Sequence, residues 1–199
     1  MRPIKEKRER SLGTKLFLKS ERCSSPKCVT VRRPYKPGEH GKKRSRPLSE
    51  YGRELQEKQK VQLVYGLNNR QMGNLFKETK EKIFMTLEMR LDRVVYLLGL
   101  TKSSRIARQI VSHGHILVNG RKVTIPSYRV SVGDIISVRP ESKLMKIFED
   151  APLKIKTFGP PSWLKADASE FKGSCTGKPE FNKKQFSFDL DLVGQFFSR

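Results

Sequence analysis

The chain of 199 residues carries 42 Lys plus Arg against 20 Asp plus Glu, a formal net charge of +22 with a pI near 10.2. A compact body at that charge repels itself until an anionic partner neutralises it, nucleic acid being the first candidate and an anionic membrane the second. With 36% hydrophobic and 31% charged residues and a mean hydropathy of -0.60, the core is modest and the length admits one or two domains.

There is no apolar run of the about eighteen residues that a membrane span requires, and the N-terminal MRPIKEKRER lacks the apolar stretch of a signal peptide. A soluble, intracellular protein is expected. Cys23, Cys28 and Cys175 are too few for a disulfide framework and odd in number, so they read as reduced thiols.

Residues 1–47 contain SSP, RRPYKPGEHG and RSRP, whose Pro, Gly and Ser break helical and strand periodicity alike. The reading is a basic, irregular arm with little core, ordered only upon binding. In it, Arg32, Arg33, Tyr35, Lys36 and His40 interleave cations with rings, a pattern suited to an irregular RNA surface. Lys42, Lys43, Arg44 and Arg46 follow as a cluster that is either a solvated linker or a second contact with nucleic acid.

A helical segment, residues 48–86, comes next. Ser49 is a plausible N-cap, Glu50 and Glu54 suit the positive helix end, and Gly66 is a stop. NNRQMGNLFKETKEK reads as a second helix, and Ile83, Leu87, Leu91, Val94, Val95 and Leu98 share one face of a third that ends at Gly99.

Ser103 or Ser104 caps a fourth helix, with Ala107, Ile110 and Val111 as its apolar stripe and His113-Gly114 at its end. Arg105, Arg108, Gln109 and Ser112 recur on the opposite side, where a polar stripe can follow a phosphate backbone or simply face water. After Gly114 the period drops to two: HILVN, an Asn119-Gly120 hairpin turn, RKVT, SYRV and IISV. Two helices and a small twisted sheet thus form one unit over residues 87–140. Residues 141–199 read as turns and short extended pieces, with an apolar tail, FSFDLDLVGQFFSR, that packs back on the helical body.

LEMRLDRVVYLLGL and SSRIARQIVSHGHILVNGRKVTIPSYRVSVGD closely resemble the RNA-binding module named after ribosomal protein S-four, which also occurs on some pseudouridine synthases and a tyrosyl-tRNA synthetase. The flanks GTKLFLKSERC, SPKC, RRPYKPGEHG, LSEYGRELQEKQKVQLVYG, PSWL and FFSR are similar to the ribosomal protein family itself, in its bacterial or organellar form. Residues 142–158 and 174–190 match least well. What lies outside the module is too little for a catalytic domain with an Asp or Cys nucleophile, so an RNA-modifying enzyme is disfavoured. Among the aspartates, Asp92 beside Arg93 reads as a salt-bridge partner.

The resemblance implies an α+β fold, a mostly helical body into which the two-helix and small-sheet module is inserted. It implies a structural, non-enzymatic role on the ribosome, cytoplasmic or organellar: binding the 5′ domain of small-subunit rRNA at a helix junction, nucleating assembly, and contributing to the messenger RNA channel and to translational accuracy. The implied partners are rRNA, messenger RNA, a neighbour resembling ribosomal protein S-five and other small-subunit proteins, without membrane, small-molecule substrate or cofactor.

Candidate RNA-contact residues follow from charge and resemblance together. Besides those of the arm and the polar stripe already named, they are Lys15, Lys19, Arg22 and Lys27 before residue 30, then Tyr51, Arg53, Lys58, Lys60 and Arg70 in the helical body. The module adds Ser103 and Ser104 at the cap, His113 and His115 at the helix end, Asn119, Arg121 and Lys122 in the hairpin, and Tyr128 and Arg129 beyond it.

Some family members hold zinc with two cysteine pairs, but here the first pair falls at about Glu6 and Glu9, leaving Cys23 and Cys28. A closed zinc site normally takes four ligands, so none is expected. His113 and His115, two apart across a helix end, suit capping or RNA hydrogen bonding better than ligation.

Overall fold

A computed structural model describes residues 6–18, 20–23, 25–43, 46–149, 151–152, 155, 159–180 and 188–198. The chain divides into two compact units, Met1–Lys80 with Asn182–Arg199, and Glu81–Phe181. Lys19 and Arg44 lie outside the described residues.

In the first unit the arm departs from the expected irregular chain. It contains three short helices, α1 (Glu6–Leu12), α2 (Ser20–Cys23) and α3 (Val29–Arg32), and a 3-10 turn at Glu39–Lys42. The reason is a small core that the arm shares with the helical body: Leu12, Leu16 and Leu18 are buried and pack with Leu63 and Val64 of α4 (Glu50–Tyr65). Spaced unevenly along turns, these leucines give no periodic signal.

The caps of the helical body behave as their chemistry dictates. Ser49 accepts a hydrogen bond from the Gly52 amide at 3.2 Å, and Gly66 ends α4 in the left-handed conformation at φ 63°. Asn68 and Gln71 form a reciprocal capping box at the start of α5 (Asn69–Leu75). The final helix, α9 (Leu190–Ser198), packs on α4: Tyr51 meets Phe196 with ring centroids 5.6 Å apart, and Phe76 stacks on Phe197 at 5.3 Å.

The second unit begins within α6 (Lys80–Glu88), which is followed by α7 (Leu91–Leu97) where periodicity predicted one continuous helix. The break has a definite cause. Arg90 forms an isolated bridge with Arg129, and the Leu91 and Asp92 amides donate to the Tyr128 and Pro126 carbonyls at 2.8 and 3.1 Å. A crossing loop therefore takes backbone bonds that a continuous helix would use.

Helix α8 (Ser104–Ser112) lies against α7, followed by β1 (Ile116–Val118), β2 (Arg121–Lys122) and β3 (Ile135–Val138). The Asn119-Gly120 turn has φ of 50° and 77°, the doubly positive pair that a tight hairpin turn demands. SYRV contributes only the bridge at Arg129 and no strand.

The expected C-terminal segment, residues 141–199, is divided between the units. Its last helix rests on α4, but β4 (Leu164–Asp167) and β5 (Lys172–Cys175) complete an antiparallel sheet in the order β2-β1-β3-β5-β4. Ile136 of β3 pairs with Gly173 of β5, and a Cβ on that glycine would lie 2.4 Å from Leu98 Cδ2, so glycine lets the sheet approach the end of α7 without moving the Leu98 side chain. One core joins the layers: Leu91, Val94, Leu98, Ala107, Ile110 and Val111 from the helices, Ile116, Val118, Ile136 and Val138 from the strands.

Candidate nucleic-acid interface

Helix α8 is strongly two-faced. Ala107, Ile110 and Val111 are fully buried, whereas Arg105 and Arg108 are half-buried and Gln109, Ser112 and His113 reach the surface. The expected polar stripe thus emerges as one row. At its end Gly114 has φ 77°, and the Lys122 side chain passes so close that a Cβ there would lie 2.2 Å from Lys122 Cε. Lys122 and its neighbour Arg121, both exposed, extend the cationic row from the helix end onto the hairpin.

At the other end of the row, Asp92 gathers two arginines. Arg90 donates to it through Nε at 3.0 Å and Nη2 at 2.7 Å, and Arg108 Nη1 lies 3.5 Å from its Oδ2. The salt bridge expected of Asp92 is therefore real, with Arg90 and Arg108 as partners, while Arg93 pairs with Glu88 at 3.1 Å. The loop tied to this corner exposes Tyr128 and Arg129, and Arg129 donates to Thr86 Oγ1.

Several candidates are spoken for by the fold. Ser103 is buried and its hydroxyl accepts from the Ile106 amide at 3.3 Å, so the cap belongs to Ser103 and leaves Ser104 nearer the surface. Asn119 spends its side chain within the sheet, donating to Asp134 at 2.8 Å and accepting from the Ile135 amide at 2.9 Å. His115 Nδ1 hydrogen-bonds Ser142 Oγ at 2.9 Å.

The arm presents a second cationic surface. Arg22, Lys27, Arg33, Lys36 and His40 are exposed along it, with Lys42, Lys43 and Arg46, while Lys15 and Tyr35 are half-buried and Arg32 closes α3. Arg22 faces Glu6 at 3.4 Å. This surface is shaped by Arg10, a residue that sequence reasoning missed. Its Nε donates to the Arg33 and Tyr35 carbonyls at 3.1 and 3.2 Å, its Nη2 to Tyr35 at 2.9 Å, and its guanidinium sits 5.1 Å from the Tyr35 ring centre, with Lys42 Nζ at 5.5 Å. Gly41 allows the turn to tighten, because a Cβ there would meet the Lys36 carbonyl oxygen at 1.8 Å. A guanidinium holding distant carbonyls leaves no periodic trace in the sequence.

Glu9 stands in the sequence only where a metal ligand is missing. In the fold it is fully buried, and its Oε1 accepts from the Leu16 and Leu18 amides, both at 3.1 Å, while Cys23 Sγ approaches Oε2 at 4.0 Å. Burial alone would raise the Cys28 thiol pKa, but the Val31 and Thr30 amides, the Thr30 hydroxyl and Lys15 lower it on balance. Among the described residues no group of three or more His, Cys, Asp and Glu is arranged to hold a metal.

In the helical body, Tyr51, Arg53 and Arg70 are exposed, but Lys58 is buried against the C-terminal helix. Its ammonium lies 4.1 Å from the Phe196 ring centre and 5.2 Å from Phe197, and burial lowers its pKa. Lys60 is half-buried and bonded to Glu57 at 2.7 Å. Lys58→Ala should cost about 1–2 kcal/mol of stability by removing the cation and its stem from between α4 and α9, yet leave the salt dependence of RNA binding unchanged. Thermal melting and a binding series in salt check both halves; a reduced salt slope would place Lys58 in the interface.

Comparison with known proteins follows the same geography. The model described as the S4 domain matches residues 89–136, and that described as the ribosomal protein S4/S9 N-terminal domain matches residues 3–105. Small ribosomal subunit protein uS4 of Thermus thermophilus is 45% identical over 196 residues, covering 94% of this chain and 93% of the relative. The proteins of that name from Halothermothrix orenii and Nitratidesulfovibrio vulgaris are 43% and 42% identical over 194 residues, at 94% and 93% coverage.

Proposed function

The chain belongs to the uS4 family of small ribosomal subunit proteins, and from that premise we propose that it binds small-subunit rRNA directly at a helix junction of the 5′ domain and nucleates assembly there. The observation that carries the reading is the row formed by Arg105, Arg108, Gln109 and Ser112 on α8, continued by Arg121 and Lys122, on a rigid two-layer core. The work is done by binding. Cations replace the counterions condensed on RNA and supply affinity, while fixed side chains and backbone groups select its shape, since the deep groove of A-form RNA hides base edges.

In this reading the role is structural rather than catalytic, as in the family. No helix among the described residues is long and apolar enough to cross a membrane. Chemical footprinting on small-subunit rRNA tests the proposal: protection should cluster at one junction of the 5′ domain and disappear when the α8 row is neutralised. Protection scattered over the whole RNA would reduce the protein to a non-specific polycation.

A finer part of the proposal places the arm beside the channel by which messenger RNA enters the subunit, next to a protein resembling ribosomal protein S-five, where it contributes to accuracy. Its support is the exposure of Arg46 and of Lys42 and Lys43, the latter two on a turn already shaped by Arg10 and Tyr35. Replacing these three and Arg44 with Ala should leave the module of residues 87–140 folded and slow the unwinding of structured message severalfold in assembled subunits. Normal unwinding would make the cluster an assembly contact only.

A further inference from the structure

Of the five tyrosines, Tyr35, Tyr51, Tyr65 and Tyr96 each set their ring against another ring or a cation of the protein. The Tyr128 ring has no such contact among the described residues, and 37% of the residue's surface stays exposed. A solitary exposed side chain is ordinary. What sets this one apart is the backbone beneath it. The Tyr128 amide donates to the Ile125 carbonyl at 3.1 Å, and the Tyr128 carbonyl accepts from the Leu91 amide at 2.8 Å. On either side, the Asp92 amide donates to the Pro126 carbonyl at 3.1 Å and the Val130 amide to the Met89 carbonyl at 2.8 Å. Arg129 forms the bridge with Arg90 and donates to Thr86 Oγ1. With both backbone groups bonded, Tyr128 has its side chain alone to offer, on a loop fixed to the core.

We propose that Tyr128 is a stacking platform for one unpaired RNA base at the edge of the α8 row. This rests on the reading of that row as the rRNA-binding face. The turn of α7 that holds the loop also carries the Asp92 carboxylate that meets Arg108 of α8, so the ring stands at the end of the row. Cations that take phosphates read no base, whereas a ring beside them gives a nucleotide turned out of its helix a π-face to lie on. A paired stem keeps its bases stacked on one another, so the ring engages RNA only where it is unpaired, as at a helix junction. A tyrosine on a fixed backbone has two χ angles to restrain and loses little freedom on docking. Charge favours this occupant over a protein. Between Asn119 and Ser131 the charged side chains are Arg121, Lys122 and Arg129, all positive and all exposed, and a polyanion with accessible bases matches both the cations and the ring.

The test measures the full chain against a 5′-domain rRNA fragment and against a fully paired RNA duplex, each over a salt series with melting followed in parallel. Tyr128→Ala should weaken fragment binding about fivefold to fiftyfold at unchanged salt slope, because stacking releases no counterions, and leave duplex binding as it was. Tyr128→Phe keeps the π-face and should bind the fragment within about twofold of wild type, whereas Tyr128→Leu, apolar but without a ring, should stay near Tyr128→Ala. Wild-type fragment affinity in Tyr128→Ala overturns the stacking role and leaves the ring to a protein neighbour. Full recovery in Tyr128→Leu overturns it too, reducing the contact to apolar burial, and a loss in Tyr128→Phe as large as in Tyr128→Ala does so by assigning the contact to the hydroxyl. An equal loss on the duplex, or a reduced salt slope in Tyr128→Ala, also counts against stacking. Should Tyr128→Ala fail to fold, the comparison of Tyr128→Phe with Tyr128→Leu decides. Replacing Arg105 and Arg108 with Gln separates the two claims: if that variant also binds the fragment normally, the interface reading falls, whereas if it weakens binding while Tyr128→Ala does not, only the stacking role falls.

Discussion

Replacing Arg105 and Arg108 together with Gln is expected to weaken binding of the rRNA fragment about 10- to 100-fold near physiological salt, with almost no change in melting temperature. Both residues stand on the face of α8 opposite Ala107, Ile110 and Val111, so their removal takes nothing from the core. The buried Asp92 carboxylate beside Arg108 keeps both hydrogen bonds from Arg90. Gln preserves polarity and helix propensity and deletes only the two cations. Each lost phosphate contact lowers the slope of log affinity against log salt by roughly 0.7–0.9, so the double variant should lose up to about two units. A fold defect would lower affinity at every salt concentration alike; an unchanged slope in a folded double variant would mean that this face is merely solvated.

What the sequence could reveal depended on how local the responsible interaction is. The caps at Ser49 and Asn68 and the Asn119-Gly120 hairpin are decided within a few residues, and side-chain type alone predicts each turn or helix end. The apolar stripe of α8 is equally legible, since a period near 3.6 requires no knowledge of the partner layer. The break between α6 and α7 is not local. Apolar spacing continues smoothly through it, and only the Pro126 and Tyr128 carbonyls, more than thirty residues downstream, claim the Leu91 and Asp92 amides. The two strands near the C-terminus were obscured for a related reason: LKAD and KGSC are short, and their burial depends on β3 being their neighbour.

The candidate site divides along the same line. Net charge and the row on α8 were readable because electrostatic affinity tolerates approximate placement. Whether a particular cation is available was not, because that depends on distant partners. Lys58 looked like any other lysine on a helix until Phe196 and Phe197, some 138 residues along, covered it. Arg10 shows the reverse case: a cation in an ordinary helical stretch proves to organise a loop through carbonyls 23 to 25 residues away.

The arm offers the other large effect, through Glu9. Glu9→Ala should cost the first unit about 2–4 kcal/mol, because two buried amides, those of Leu16 and Leu18, lose a charged acceptor at 3.1 Å. Those amides flank the turn that carries Leu16 and Leu18 against Leu63 and Val64, so the loss should spread from hydrogen bonds to packing. Hydrogen exchange should accelerate over residues 6–32 while the sheet, in the other unit, stays protected. Glu9→Gln distinguishes acceptor from charge: its amide oxygen can still receive both N–H groups, so it should recover part of the stability, while its NH2 meets Cys23 where Oε2 had stood. In this chain a carboxylate accepting backbone donors holds the turn beside Cys23. Elemental analysis finding one zinc per chain, or wild-type exchange rates across the arm of Glu9→Ala, would remove Glu9 from that role.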